Sequence, residues 1–110
     1  IKSKKIPTIC FPRGIGESYA DFCSTVKPDC ISIDYEVDPK WTKEKLKGIP
    51  IQGGLDPKIL LYDKEKIKKY TEKYLNIFKD YPYIFNLGHG ITPDIKPDKV
   101  KVMIEAIRNF

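Results

Sequence analysis

Four short apolar runs alternate with four helical patterns along these 110 residues, and this alternation limits the fold more than any other feature. The runs, at residues 6–11, 30–34, 49–52 and 83–86, are rich in the β-branched and aromatic residues that favour strands. Strands separated by helices pair in parallel. The pattern therefore predicts a parallel α/β sheet built from four βα units.

The helical patterns begin at residues that commonly cap helices. Asp38 is predicted to be the N-cap of a helix, and Pro39 its first residue. The helix is predicted to continue over 40–47 and to stop at Gly48. Ser18 and Asp63 are predicted to cap the first and third helices. Apolar residues at helical spacing are predicted to form the buried stripes of the other three helices: Tyr19, Phe22, Cys23 and Val26; Ile67, Tyr70, Tyr74, Ile77 and Phe78; and, after Pro97, Val100, Met103, Ile104 and Ile107.

The length fits part of a larger architecture. A complete (β/α)8 barrel needs about 250 residues, so four βα units in residues 1–110 correspond to about half of one, in a single segment. The first residue is Ile1 rather than Met, and residues 1–5 read as the tail of an earlier connection. We therefore expect the chain to be part of something longer.

Composition excludes some classes of protein. The net charge of +5 is compatible with an acidic ligand or nucleic acid, but most lysines fall on helix faces, so we predict no nucleic-acid partner. No apolar run approaches the ~20 residues of a membrane span and no signal peptide is evident, so a cytoplasmic protein is expected.

Cys10, Cys23 and Cys30 lack CxxC spacing and are predicted to be buried and reduced, with no metal site.

Polar or glycine-rich residues follow every predicted strand. The carboxyl ends of parallel strands share one edge of a sheet, and ligands bind there. We therefore predict a site at this edge, formed by Arg13 and Gly14, by Asp34, by Gln52 with Gly53 and Gly54, and by His89 between Gly88 and Gly90.

His89, the only histidine, is the strongest candidate ligand-binding residue, because a glycine on each side allows a sharp bend and leaves the imidazole unscreened. For the other candidate residues a purely structural role is an alternative to ligand binding. Asp34 could instead bond loop amides, Gln52 could be an amide bonded to a neighbouring strand, and Arg13 could be an exposed cation. Asp56 indicates a turn and a helix cap. The chain lacks a dinucleotide fingerprint, a Walker lysine and a GxSxG serine.

Two motifs resemble a known family. Residues 51–57, IQGGLDP, and residues 83–91, YIFNLGHGI, are similar to the C-terminal part of uroporphyrinogen decarboxylases. Residues 31–38 resemble that family's strand ending in an aspartate and an aromatic residue, and residues 94–100 resemble its closing segment. Gly54 stands where the family usually has asparagine and Tyr35 where tryptophan is common, so no amide contact is carried over to Gly54.

The resemblance implies the C-terminal half of a (β/α)8 TIM barrel from a homodimeric enzyme. That enzyme removes four acetate carboxyls from uroporphyrinogen III to give coproporphyrinogen III, with no metal or organic cofactor. His89 matches the family's substrate-binding histidine, and Gly88, Gly90, Asp34 and Gln52 are our candidates for supporting residues. The family's catalytic aspartate, arginine, tyrosine and serine belong to the preceding half. We therefore expect no catalytic residue in this chain, and no activity from it alone.

Two other functions stay open. A corrinoid or coenzyme M methyltransferase of the same superfamily would hold zinc through histidine and cysteines, but no cysteine lies near His89 in the sequence. A non-enzymatic α/β assembly module is the other alternative, because a half-barrel exposes sheet edges that must pair with something.

Overall fold

A computed structural model describes residues 2–110 and contains four strands: β1 (Ile9–Cys10), β2 (Cys30–Ile33), β3 (Ile51–Gly53) and β4 (Tyr83–Ile84). They form one sheet in the order β1-β2-β3-β4, and each neighbouring pair is parallel. The predicted parallel α/β sheet of four βα units is therefore confirmed. The sheet is open, as expected for part of a TIM barrel.

The two outer strands are shorter than the sequence predicts. β1 and β4 each contain two residues, whereas the apolar runs around them extend over residues 6–11 and 83–86. Both lie at the edges of the sheet and have a neighbour on one side only. A separate parallel bridge between Leu55 and Leu87 continues the contact of the β3 and β4 tips beyond the regular strands.

Four α-helices connect or follow the strands: α1 (Tyr19–Val26), α2 (Pro39–Lys45), α3 (Lys64–Ile77) and α4 (Pro97–Arg108). Asp38 caps α2 by accepting a hydrogen bond from the Lys40 amide, and Asp63 caps α3 by accepting one from the Lys66 amide, both at 2.9 Å. These caps are as predicted.

Three short 3-10 helices were not predicted: Lys2–Lys4, Gly16–Ser18 and Pro57–Leu61. Asp56 caps the third of them through the Lys58 amide, which confirms its role in a turn. The prediction for Ser18 is wrong, because its side chain makes no capping hydrogen bond. The preceding 3-10 turn leads straight into α1, so Ser18 has φ −68° and ψ −3° rather than the extended backbone of a capping residue.

The hydrophobic core lies between one face of the sheet and the helices. Ile31, Ile33 and Ile51 are fully buried there, together with Tyr19 of α1 and Ile67 of α3. Side chains that alternate with these along the strands point to the opposite face.

That opposite face carries Ile9, Ser32, Gln52 and Ile84, with Ser32 opposite Gln52 and Gln52 opposite Ile84 in the strand register. Ile9 and Ile84 are 54% and 49% exposed. We call this surface the uncovered face of the sheet.

Parts of the predicted apolar stripes remain exposed. Val26 of α1 and Ile104 of α4 are examples, and they lie on the first and last helices of the layer. Tyr70 of α3 is also exposed and instead contacts the Tyr62 ring, with the centroids 6.1 Å apart.

The three cysteines are reduced. Cys23 and Cys30 are buried as predicted, whereas Cys10 on the edge strand is half-buried. Within residues 2–110, none of the helices has the length and apolar character needed to cross a membrane.

Candidate functional site

A hollow of about 370 Å³ lies on the uncovered face, towards the carboxyl ends of the strands. Every βα unit contributes to its lining: apolar Ile9 and Phe11 come from β1 and its end, Ser32 from β2, Gln52 from β3, and Asn86, Leu87, His89 and Gly90 from the segment after β4. The structure thus brings His89 and Gln52 together at the edge where the sequence placed a site. Their roles in binding stay predictions.

His89 is exposed on the rim of the hollow. Its turn is fixed to the β3 tip by a hydrogen bond from the Gly88 amide to the Leu55 carbonyl at 2.7 Å. The imidazole Nδ1 lies 3.1 Å from the Gly90 carbonyl oxygen, which can only accept, so this hydrogen bond needs the proton on Nδ1. Nε2 is then the ring nitrogen outside this hydrogen bond, and it can donate only when the ring is doubly protonated.

The two glycines beside His89 have different functions in the fold. A Cβ atom at Gly88 would lie 2.5 Å from the Tyr35 amide nitrogen and 2.9 Å from the Asp34 carbonyl carbon. A Cβ atom at Gly90 would have no heavy atom within 4 Å. The backbone bends at Gly88 and His89, as predicted, but neither Gly88 nor Gly90 has the left-handed backbone that would require glycine. Gly88 instead allows the close approach of the β4 turn to the loop after β2.

Gln52 is half-buried, and its amide nitrogen donates to the Ser32 hydroxyl at 3.4 Å. This is the bond to a neighbouring strand that the sequence suggested as its structural role. The contact also fixes the side chain where it lines the hollow, so the structural and the binding roles of Gln52 are compatible.

Asp34 is buried and does not line the hollow. Its carboxylate accepts hydrogen bonds from the Gly14 amide at 2.8 Å, the Tyr19 hydroxyl at 2.9 Å and the Glu36 amide at 2.9 Å. The Asp34 amide in turn donates to the Tyr19 hydroxyl at 3.1 Å. These bonds join the end of β2 to the loop after β1, which supports the structural role proposed for Asp34 over a role in binding.

The hydrogen bonds also determine the ionisation of Asp34. Burial alone would raise its pKa, but the bonds from Gly14, Glu36 and Tyr19 outweigh that effect and hold the pKa below its ordinary value. The carboxylate is therefore charged at neutral pH. Sequence reasoning assigned Tyr19 only to the core, because no local pattern links residues fifteen positions apart.

Two tyrosines fix the end of β3 from the helix side. The Tyr83 hydroxyl donates to the Gly53 carbonyl at 2.7 Å, and the Tyr74 hydroxyl donates to the Gly54 carbonyl at 2.8 Å. Burial raises the pKa of Tyr74 to about 12, so its hydroxyl stays a proton donor. Both carbonyls are thereby occupied on the helix side of the sheet.

Arg13 is exposed and does not line the hollow. This agrees with the alternative prediction that Arg13 is an exposed loop cation.

Within residues 2–110, no group of three or more histidine, cysteine, aspartate and glutamate side chains is arranged to hold a metal ion.

The fold and the hollow define a segment of a parallel (β/α) barrel with a polar site at the carboxyl ends of its strands. The family model described as uroporphyrinogen decarboxylase (URO-D) matches residues 1–110, and the chain belongs to this family.

Curated relatives bear the same name. The chain is 41% identical over 105 residues to a uroporphyrinogen decarboxylase of Cereibacter sphaeroides (strain ATCC 17029 / ATH 2.4.9), covering 94% of this chain and 31% of the relative. It is 39% identical over 104 residues to that of Wolbachia pipientis wMel, covering 94% and 30%, and 42% identical over 105 residues to that of Jannaschia sp. (strain CCS1), covering 94% and 31%. The chain thus spans about a third of the length of these relatives.

Proposed function

We propose that residues 1–110 form the C-terminal half-barrel of a uroporphyrinogen decarboxylase that converts uroporphyrinogen III to coproporphyrinogen III. Membership of the family supports this function. The observation that carries it is the position of His89, exposed on a hollow to which all four βα units contribute.

In this proposal the hollow is one wall of the substrate cleft. A protonated His89 ring donates from Nε2 to a substrate carboxylate, while Nδ1 remains bonded to the Gly90 carbonyl. The side chains of Ile9 and Phe11 supply apolar contact for the pyrrole rings, and Gln52, held by Ser32, supplies an amide.

Decarboxylation requires protonation of a pyrrole ring carbon, loss of CO2 from the resulting cationic ring, and a second protonation. We place the residues that donate these protons and stabilise the cation in the rest of the barrel, and we propose that the reaction uses no metal or organic cofactor. This segment alone is therefore inactive.

The uncovered face supports the need for the rest of the barrel. Exposed Ile84 lies beside Gln52, and exposed Ile9 lies at the other edge of the same face, which the helices do not cover. In the complete protein four further strands close the barrel over these residues. We further propose that the complete protein is a cytoplasmic homodimer.

Substitution of His89 in the complete protein tests the proposed site. Loss of a hydrogen bond to a charged partner costs about 1.5–3 kcal/mol, so His89→Ala is expected to weaken uroporphyrinogen binding by roughly ten- to a hundredfold. His89→Gln keeps a neutral hydrogen-bond donor, so its affinity for uroporphyrinogen is expected to lie between those of His89→Ala and the unaltered protein. Binding is measured anaerobically, and products are separated by chromatography after oxidation to porphyrins.

Lys101→Ala, at an exposed position of α4, serves as the control and is expected to leave binding and turnover unchanged. If His89→Ala binds uroporphyrinogen as tightly as the unaltered protein while remaining folded, His89 is not a substrate-binding residue.

A further inference from the structure

A second and larger concavity lies on the helix side of the sheet. It has a volume of about 730 Å³ and is lined by residues of α2, of α3 and of the segment before β4. Four lysines and one glutamate line it, around an apolar floor formed by Ile77 and Tyr81. We call it the α2–α3 groove. It shares no lining residue with the hollow of His89.

Three lysines of the groove form a row along α2, and a fourth lies on α3. Lys40, Lys43 and Lys47 are three and four positions apart, so they extend along one side of α2 and the turn after it. Lys73 faces them from α3, one helical turn before Ile77. Like charges at this spacing repel one another, and an anion bound between the α2 lysines and Lys73 would reduce that repulsion.

Most of this positive charge has no partner within the described part of the chain. Among the residues that the structure describes, the ammonium groups of Lys40, Lys47 and Lys73 make no hydrogen bond or ion pair, and all three side chains are exposed. Only Glu44 offsets them within the lining. The groove therefore presents uncompensated cations next to an apolar surface.

Specific contacts hold the groove in shape. The Lys43 ammonium donates to the Ile77 carbonyl at 2.8 Å, which ties α2 to the end of α3. The Tyr81 hydroxyl lies 2.6 Å from the carbonyl oxygens of both Leu46 and Ile49 and shares its one proton between them, which fixes its ring in the floor. A site with preformed walls loses less conformational entropy when a ligand binds.

We propose that the α2–α3 groove binds an organic polyanion. Such a ligand has a flat apolar ring system that packs on Ile77 and Tyr81, and two or more carboxylate or phosphate groups that pair with the lysines on both sides. The volume lies within the range of about 300–1,000 Å³ for small-molecule sites. Nucleotides and aromatic polycarboxylates share this chemistry. The inference does not depend on the binding role proposed for His89, but the accessibility of the groove in the complete protein rests on the barrel proposed above.

The position of the groove agrees with a site that persists in a closed barrel. α2 and α3 are the second and third of the four helices, so in the proposed barrel the additional βα units join beyond α1 and α4. Closing the barrel in that way leaves the outer side of α2 and α3 open.

Calorimetric titration of the complete protein with ATP and, separately, with benzenehexacarboxylate tests the proposal. We expect saturable binding of at least one of the two with one site per chain. A variant with Lys40→Gln, Lys47→Gln and Lys73→Gln is expected to bind that probe at least about tenfold more weakly, since each exposed ion pair contributes a few-fold to affinity. Lys73→Gln alone is expected to weaken binding about threefold, which keeps the test decisive if the triple variant is unstable.

The matched control carries Lys69→Gln, Lys96→Gln and Lys101→Gln, which removes the same charge from exposed positions outside the groove. It should retain affinity within about twofold at moderate salt, where distant charges are screened. Binding of ATP alone identifies a nucleotide site, and binding of benzenehexacarboxylate alone identifies a polycarboxylate site. Two results would overturn the proposal: no binding of either probe, or equal weakening of binding in the control variant.

Discussion

Replacing either glycine beside His89 with alanine adds the same methyl group, but the structure predicts a large loss of stability at Gly88 and almost none at Gly90. At Gly88 the new Cβ would approach the Tyr35 amide nitrogen to 2.5 Å, and real Cβ contacts are essentially never shorter than 3.0 Å. The obstructing atoms belong to the backbone of Asp34 and Tyr35, so no side-chain rotation relieves the contact. The β4 turn and the loop after β2 must therefore separate by about half an ångström or more.

That separation loosens the contact between the ends of β2 and β4 and strains the hydrogen bond from the Gly88 amide to the Leu55 carbonyl. Overpacking typically costs about 1–3 kcal/mol, and a rigid backbone neighbour puts Gly88→Ala at the upper end, about 3 kcal/mol. Gly90→Ala meets no atom within 4 Å. We expect it to change the free energy of unfolding by at most about 0.5 kcal/mol, since it is a surface substitution without strain.

Urea unfolding of the two variants in the complete protein, followed by circular dichroism, measures the difference. The Gly88→Ala midpoint should fall clearly below that of the unaltered protein, whereas the Gly90→Ala midpoint should be nearly unchanged. Because Gly88 also fixes the turn that carries His89, Gly88→Ala should weaken substrate binding as well. Equal midpoints for the two variants, or a larger loss for Gly90→Ala, would refute the close-approach account of Gly88.

Three further predictions concern the hydrogen bonds of Asp34 and the caps of two helices. Tyr19→Phe removes a hydrogen bond to a charged carboxylate and leaves the Asp34 amide unpaired, so urea unfolding should show a loss of about 2–4 kcal/mol. Because the folded-state pKa of Asp34 is lowered, its stabilisation is complete above the unfolded-state value of about 4 and is lost as the pH falls through the folded-state value. The stability advantage of the unaltered protein over Asp34→Asn should therefore be constant near neutral pH and shrink in acid, and an advantage that grows in acid would contradict this sign. Asp63→Ala should cost about 1 kcal/mol as a lost helix cap, whereas Ser18→Ala, whose side chain caps nothing, should cost nearly nothing in the same assay.

The features that the sequence predicts correctly depend on residues close together in the chain. The four apolar runs give the strands and their parallel pairing, because helices between them leave no antiparallel hairpin. Asp38, Asp56 and Asp63 cap the helices that follow because their side chains bond amides two or three residues further on. The edge that gathers His89 and Gln52 follows from strand direction alone.

The features that the sequence does not predict depend on contacts between distant parts of the chain. Tyr19 bonds Asp34 from a different βα unit, and no spacing rule connects the two. The need for glycine at position 88 comes from the Tyr35 backbone, more than fifty residues earlier in the chain. Ser18 resembles a cap in sequence, but the 3-10 turn before it determines its backbone. All three features are determined by how the βα units pack against one another, which local sequence patterns do not specify.

The agreement of strand order with chain order has a consequence for how this segment is made. Each strand pairs with the strand synthesised immediately before it, so every addition to the sheet closes one loop of moderate length. The sheet can therefore grow one unit at a time as the polypeptide leaves the ribosome, with each strand serving as the template for the next. Assembly then proceeds in one direction, and β4 is the last edge of this segment to be completed.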